Sequence, residues 1–275
     1  MAITVDLERF RIRPGESVSL ADRPTAVTQG LKDNKEVDDQ FDDHVGALQD
    51  LQEQLYAESS RSLLVVLQAM DAGGKDSTIE KVFGRLNPQG VRVWSFKVPS
   101  KKEAAHDYLW RIHRRVPGDG YIGVFNRSHY ESVLVERVKE LAPADLIEKR
   151  YGHINAFEQL LTDEGTTIVK IMLHISKDYQ LERFRRRLRK PSKHWKFNPG
   201  DLKTRARWDD YMAAFEDALR RCSTEHAPWY VIPAEERWFR NLAIAQLVRE
   251  TLERMGPQYP PPEFDPAEYP PESLV

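Results

Sequence analysis

The chain has 275 residues and a mass of 31.9 kDa, 40% of its residues are hydrophobic, and its net charge is only -2. This size and composition fit one large folded domain and exclude both a small stapled module and a wholly disordered chain. A single cysteine, Cys222, excludes an internal disulfide and a cysteine-based zinc site. With no secretory signal and no long apolar run, the sequence predicts a cytoplasmic protein without a membrane partner.

The two ends of the chain differ in composition from its centre. Residues 1–33 contain scattered prolines, glycines and charges, and we expect them to form an arm on the surface. Residues 257–275 contain seven prolines and several acidic residues, which exclude a continuous helix or strand. This tail is expected to be extended, either disordered or packed against another subunit.

The centre of the chain alternates between two kinds of hydrophobic pattern. Helical periodicity first appears at 37–56 and returns at 102–115, 129–160, 177–190, 207–221 and 235–254. Short apolar runs predict buried strands at 62–68, 91–96, 121–125, 166–173 and 229–232. Strands joined by helix-length connections form right-handed β-α-β units. The sequence therefore predicts one α/β domain, a three-layer sandwich around a central parallel sheet.

A glycine-containing loop follows the first predicted strand, with the sequence A-M-D-A-G-G-K-D-S-T at 69–78. In phosphate-binding loops, glycines let backbone N–H groups converge on phosphate oxygens, and a lysine reaches the transferred phosphoryl group. The expected phosphate-binding residues are Ala72, Gly73, Gly74, Lys75, Asp76, Ser77, Lys81 and Arg85.

This loop departs twice from the pattern G-x-x-x-x-G-K-[ST]. Ala69 replaces the first glycine, and Asp76 replaces the hydroxyl residue that normally binds the metal. Ser77 or Thr78 could supply a hydroxyl group, and Asp71 offers a carboxylate within the loop. A simple strand-to-helix turn is the alternative interpretation.

A second polar motif, N-R-S-H-Y-E at 126–131, follows the predicted strand 121–125. Asn126 occupies the position where an acidic residue normally holds magnesium, so Asp71 and Glu131 must provide the anionic ligands. The expected metal ligands are therefore Asp71, Asn126 and Glu131. Arg127 is placed to contact phosphate, because ligands of open parallel sheets bind at the carboxyl ends of the strands. A solvated loop arginine is the alternative.

Residues 181–207 contain eleven basic residues and two acidic ones, in a chain that is otherwise slightly acidic. Pro191, Pro199 and Gly200 interrupt the segment, which predicts a lid of two helices and a loop at 177–207. Arg183 and Arg187 are the candidates for phosphate contact. Further basic residues between Lys97 and Arg115 could extend a groove for a long polyanion, whereas a solvated helix face is the alternative.

Six stretches together resemble the polyphosphate kinase 2 family, and they lie at 68–79, 106–111, 125–131, 183–188, 191–197 and 227–234. The resemblance implies a P-loop kinase-like enzyme with a helical, arginine-rich lid, which transfers phosphoryl groups between inorganic polyphosphate and nucleotides. It implies Mg²⁺, with Mn²⁺ as a second possibility, a homodimer or homotetramer, and no nucleic-acid partner.

The forms D-A-G-G-K-D and N-R-S-H-Y-E are most like the subgroup that accepts both AMP and ADP. On this basis the catalytic residues are Asp71, Lys75, Arg127, Arg183 and Arg187. The nucleotide-binding residues are Asn126, Arg127, Glu131 and Lys196. Two alternatives stay open: an ATP-dependent nucleoside or nucleotide kinase of the thymidylate-kinase type, and a non-catalytic module that binds polyphosphate.

Overall fold

The computed structural model describes residues 3–273, so residues 1, 2, 274 and 275 of the expected arm and tail lie outside the described part. Its centre is a six-stranded sheet in the order β1-β6-β5-β2-β4-β3. Every neighbouring pair is parallel except β1 and β6. The strands are β1 (Arg11–Ile12), β2 (Ser62–Ala69), β3 (Val91–Ser95), β4 (Ile122–Asn126), β5 (Thr166–His174) and β6 (Trp229–Pro233).

Ten α-helical segments occur between residues 3 and 273. They are α1 (Lys35–Glu58), α2 (Lys75–Thr78), α3 (Lys101–Ala104), α4 (Trp110–His113), α5 (Val135–Val138), α6 (Ala144–Asp163), α7 (Lys177–Arg189), α8 (Gly200–Ala206), α9 (Trp208–Cys222) and α10 (Arg237–Met255). The five predicted strands and the long helices α1, α7, α9 and α10 are confirmed to within a few residues. The α/β class predicted from the alternating pattern is also confirmed.

Two predicted helices are broken into shorter pieces. Within 102–115, α3 begins at a capping box of Ser100 and Glu103, and the chain turns again where Asp107 accepts two backbone N–H groups before α4. Within 129–160, a 3₁₀ turn and α5 precede α6, whose N-cap is Pro143. The periodic pattern does not reveal these breaks, because buried apolar residues recur in the later pieces, at Ile112 in α4, Val138 in α5 and Ile147 in α6, although α3 has none.

The N-terminal segment differs from the expected surface arm. Val5, Leu7, Phe10 and Ile12 are buried, and β1 adds an antiparallel edge strand beside β6. The side chain of Gln246 on α10 bonds both backbone groups of Val5. A two-residue strand is too short to produce a periodic pattern, so only the folded chain reveals this contribution to the core.

Strand β2 lies at the centre of the sheet, and Leu63 to Leu67 are completely buried. The chain leaves β2 toward β3 and β4 on one side and later continues to β5 and β6 on the other. Right-handed crossovers therefore place α2 and α6 on opposite faces of the sheet. This reversal next to the carboxyl end of β2 creates a crevice where ligands of such sheets bind. No helix within residues 3–273 is long and apolar enough to cross a lipid bilayer.

The buried arm predicts a measurable effect on stability. Phe10 packs edge to face on Phe239 of α10, with ring centroids 6.1 Å apart. We expect Phe10→Ala to lower the free energy of unfolding by about 3–5 kcal/mol, because it leaves a cavity in the core. Urea denaturation measures this, with Arg9→Ala on the exposed side of the same turn as control. A loss below about 1 kcal/mol would place the arm outside the core.

Candidate active site

The loop after β2 has a backbone that only certain residues can adopt. Gly74 has φ of 102°, and Ala72 also lies in the left-handed region with φ of 64°. A Cβ at Gly73 would come within 2.7 Å of the Ala69 Cβ and 2.9 Å of the Met70 carbonyl oxygen. The two glycines are therefore required by the tight return of the chain onto the end of β2.

Lys75 begins the helical segment after this loop, and its side chain turns back inside the loop. Its Nζ donates to the carbonyl oxygen of Ala69 at 2.9 Å, and the residue is only 8% exposed. Burial, together with the nearby charge of Arg127, lowers the pKa of Lys75 to about 8, although Asp71 and Glu131 oppose the change. A buried ammonium group in this position gains from an incoming anion, which favours its charged form.

Arg127 joins the second motif to the loop. Its backbone N–H donates to the carbonyl oxygen of Leu67 at 3.0 Å, and its guanidinium binds the carboxylates of Asp71 at 2.7 Å and Glu131 at 3.0 Å. Its φ of 63° is unusual for a residue with a side chain and costs roughly 1–2 kcal/mol. Strained backbone of this kind concentrates at functional sites.

A second bond connects the same two motifs. Asn126 at the end of β4 donates from Nδ2 to Asp76 Oδ1 at 2.7 Å. Asp76 therefore anchors the loop to the neighbouring strand, whereas a hydroxyl residue at this position would normally face the metal. Ser77 instead donates its hydroxyl to the Gly74 carbonyl oxygen at 2.9 Å.

A fully buried ionic network lies beneath Arg127. Lys170 on β5 donates to Glu158 at 2.5 Å, to the Tyr130 hydroxyl at 2.9 Å and to the carbonyl oxygen of Cys222 at 2.5 Å. His129 Nε2 lies 3.0 Å from the same carboxylate. Burial alone would raise the pKa of Glu158, but Lys170 and His129 outweigh burial and lower it. His129 and Tyr130, which lie two and three positions after the strained Arg127, are thereby fixed to the core.

The predicted lid consists of α7, a 3₁₀ turn (Pro191–Lys196) and α8. Gln180 on α7 donates to the backbone oxygen of Asp71 at 2.9 Å, which attaches the base of the lid to the loop. Arg187 donates to the carbonyl oxygen of Lys196 at 3.1 Å and lies 3.5 Å from Asp201. Arg183 and Arg187 are both half-buried on α7, and the Arg183 guanidinium lies 5.8 Å from the centre of the Tyr179 ring.

Asp201 on α8 was not among the candidates selected from the sequence, because it was only one of two acids in a basic segment. Burial and the nearby carboxylate of Asp71 raise its pKa to about 6, against the opposing effects of Arg187, Arg127 and Lys75. The lid therefore brings a carboxylate toward the loop as well as arginines. An acid directly after the proline and glycine that interrupt a basic segment is the signal that identifies it.

Three predicted site residues lie outside this group. Lys81 is exposed on a single π-helical turn (Ile79–Phe83), and Arg85 forms an ion pair with Asp42 of α1 at 2.5 Å. Lys196 is on the lid, where its Nζ lies 4.8 Å from the centre of the Trp195 ring. The structure brings together the other predicted loop and strand residues and leaves these three at the periphery.

The carboxylates of Asp71 and Glu131 bind the same guanidinium, so they lie close enough to share one cation. Among residues 3–273 no group of three or more acidic, histidine or cysteine side chains forms a metal site by itself. This donor set fits a hard divalent ion whose remaining ligands are water and substrate phosphates.

Loss of one charge from the buried network of Lys170 and Glu158 should strongly lower the stability of the protein. We expect Lys170→Met to lower the free energy of unfolding by about 3–5 kcal/mol, because Glu158 would keep a buried charge without its main partner. The double variant Glu158→Gln with Lys170→Met removes both charges and should recover part of this loss. Chemical denaturation of the three proteins measures the effect. Equal stability of the single and double variants would contradict this account.

Comparisons with known proteins agree with the geometry. The family model described as polyphosphate kinase 2 matches residues 31–260. A relative from Meiothermus ruber, named AMP/ADP-polyphosphate phosphotransferase, is 58% identical over 78% of this chain and 81% of its own. A relative from Rhodopseudomonas palustris, named ADP-polyphosphate phosphotransferase, is 42% identical over 93% of each chain.

A solved structure gives the same result. The crystal structure of polyphosphate kinase 2 from Arthrobacter aurescens TC1 superposes with a TM-score of 0.89 and 45% identity, and it covers 94% of this chain and 93% of that one. Polyphosphate kinase 2 phosphotransferases generally need a divalent metal. The chain belongs to the polyphosphate kinase 2 family.

Proposed function

We propose that the protein transfers phosphoryl groups reversibly between inorganic polyphosphate and nucleotides, converting AMP to ADP and ADP to ATP. The observation that carries this proposal is the meeting of Lys75 and Arg127 with two carboxylates at the end of β2. Such a site can neutralise phosphate charge and hold a metal beside it. The arginine-rich lid adds further positive charge next to the same loop.

The reaction proceeds in line and without a covalent enzyme intermediate. A terminal phosphate oxygen of the nucleotide attacks the terminal phosphorus of polyphosphate, and the bond from that phosphorus to its bridging oxygen breaks. The shortened chain leaves with the bond electrons on that oxygen. Because the attacking oxygen is already an anion near neutral pH, the reaction depends on positioning and charge neutralisation more than on a general base.

Each charged residue has a distinct part in this mechanism. Lys75 and the loop N–H groups hold the transferred phosphoryl group, while Arg127 with Arg183 and Arg187 of the lid neutralises the flanking phosphates. Asp71 and Glu131, with the Asn126 side-chain oxygen, would hold the divalent ion, which we propose is Mg²⁺ with Mn²⁺ as a substitute. When bound, such an ion would supply positive charge that neutralises phosphate oxygens.

The choice of acceptor follows from the relatives and from the second motif. The relative with 58% identity is named for both AMP and ADP, and the one with 42% identity is named for ADP. We assign the protein to the group that accepts both nucleotides. We also propose that the protein is a homodimer or homotetramer, as the resemblance implies, and analytical ultracentrifugation would test this. The absence of a nucleic-acid partner likewise stays a proposal.

The donor and acceptor can be tested directly. Purified protein incubated with long-chain polyphosphate, Mg²⁺ and AMP should produce ADP and then ATP, as measured by nucleotide chromatography. ATP from ADP alone would restrict the acceptor and leave the donor assignment intact. Product formed only when ATP is the donor would favour the thymidylate-type kinase. Binding of polyphosphate without any product would favour the non-catalytic module.

The central residues can be tested with charge-neutral variants. We expect Lys75→Ala or Asp71→Asn to lower turnover by about 10² or more, which is what loss of one transition-state contact costs. Lys149→Ala on the exposed face of α6 is the control for loss of a lysine and should retain full turnover. Turnover of Lys75→Ala within about threefold of the original protein would remove this lysine from the mechanism.

A further inference from the structure

The segment that follows α10, residues 257–272, is acidic and rich in proline, and we call it the acidic tail. It has seven prolines and no basic residue, and its four acids are Glu263, Asp265, Glu268 and Glu272. Its first residues are fixed to the domain, because Pro257 is buried and the backbone N–H of Gln258 donates to Glu58 Oε2 at 3.1 Å. Every later residue of the acidic tail is exposed.

The acidic tail also carries three large aromatic side chains that its own chain leaves uncovered. Tyr259, Phe264 and Tyr269 are 55%, 57% and 54% exposed. The rings of Phe264 and Tyr269 pack edge to face, with centroids 5.6 Å apart. None of the four tail acids forms an ion pair with a base within residues 3–273. Exposed aromatic rings next to unpaired acids are typical of a segment that binds another surface.

A surface of the opposite charge follows the carboxyl end of β3. Residues 97–115 contain six basic and two acidic residues. Two guanidinium groups lie over tryptophan rings, that of Arg115 at 3.8 Å from the centre of the Trp94 ring and that of Arg114 at 4.7 Å from the centre of the Trp110 ring. His106 stacks on Trp110, with ring centroids 4.1 Å apart. We call these side chains, together with Arg111, the stacked face.

The positive charge of the stacked face is not balanced within the described part of the chain. Arg111, Arg114 and Arg115 form no ion pair between residues 3 and 273, although the charges of Arg111 and Arg115 act on the Glu103 carboxylate. Strand β3 is also an edge of the sheet. Val93 on this strand and Val98 just after it are 44% and 91% exposed. Proteins normally cover or protect an open edge that carries exposed apolar side chains.

The acidic tail and the stacked face are complementary in their chemistry. Proline-rich segments bind to surfaces lined by aromatic rings, and they lose little conformational entropy because proline already restricts them. Guanidinium groups bind carboxylates through parallel N–H groups. The tail acids do not pair with the arginines of their own stacked face, so each chain offers both surfaces to a second molecule.

We propose that the acidic tail of one copy of this chain docks on the stacked face of a second copy, and that the second copy returns the same contact. The exchange closes a dimer with two-fold symmetry, in which each tail aromatic and acid finds a partner. The inference names the surfaces for the self-association that we proposed above. It does not depend on the transfer of phosphoryl groups.

Reversal of charge on either surface tests the contact. The face variant carries Arg114→Glu with Arg115→Glu, and the tail variant carries Glu263→Lys with Glu268→Lys. Each variant alone places like charges opposite one another at both contacts of its dimer. We expect the dissociation constant of the dimer to rise about 10²-fold in analytical ultracentrifugation, as for loss of two charge-assisted contacts.

An equimolar mixture of the two variants is the decisive measurement. In a mixed dimer the reversed face meets the reversed tail, and the unchanged face meets the unchanged tail, so opposite charges face each other at both contacts. The mixed dimer should form with a dissociation constant within about tenfold of that of the original protein, and native mass spectrometry identifies it by mass. Its recovery also shows that both variants fold. Absence of a mixed dimer would overturn the inference.

Arg9→Glu with Arg13→Glu is the matched control. Both arginines are exposed and flank β1, at the opposite edge of the sheet from β3, and neither forms an ion pair within residues 3–273. This control reverses the same number of charges and should dimerise like the original protein. Equal dissociation constants for the face variant, the tail variant and the control would contradict the docking of the tail on the stacked face.

Sedimentation without substrates separates this inference from the other proposals. If the original protein is a monomer, both its self-association and this inference are wrong. If it is an oligomer that neither the face variant nor the tail variant weakens, the self-association stands and this inference alone is wrong. If it forms no product from polyphosphate and the mixed dimer is still recovered, the proposed reaction is wrong and the docking of the tail is supported.

Discussion

A buried ammonium group at the end of the central strand imposes the main constraint on this structure. Lys75 is enclosed by its own loop and faces Arg127 and three carboxylates. For the chain to return over this lysine, Gly74 must adopt positive φ and Gly73 must have no side chain. Positioning the lysine at the carboxyl end of β2 also requires that the neighbouring strand end beside it, which the parallel register of Leu67 with Asn126 provides.

The strain at Arg127 is maintained by its surroundings. On one side Asn126 belongs to β4, and on the other side His129 and Tyr130 are tied to Glu158 and Lys170. A buried ion pair of this kind is weak evidence for added stability, because desolvation offsets much of the Coulomb attraction. Its value here is geometric, since it fixes the residues that follow the strained position and so orients the guanidinium between two acids.

Charged side chains of both signs surround the loop after β2. Asp71, Asp76, Glu131 and Arg127 act on Lys75, and Arg240 of α10 contacts Ser77 and lies beside Gly74. The base of α7 is bonded to the backbone of Asp71, and α8 carries Asp201, whose carboxylate interacts with Asp71, Arg127 and Lys75. A reaction between two polyanions requires such positive charge, because it neutralises phosphate groups that would otherwise repel one another.

The sequence by itself determined the α/β class, the five parallel strands, the loop with Lys75, the motif with Arg127 and the basic segment that forms α7 and α8, because each depends on neighbours within a short window. It did not determine the short strand β1, the interruption of two helices or the partner of Arg85. Nor did it indicate Arg240, which contacts Ser77 across a separation of 163 residues. Only the tertiary structure decided these features, because burial and ion pairing depend on which distant segments the fold brings together.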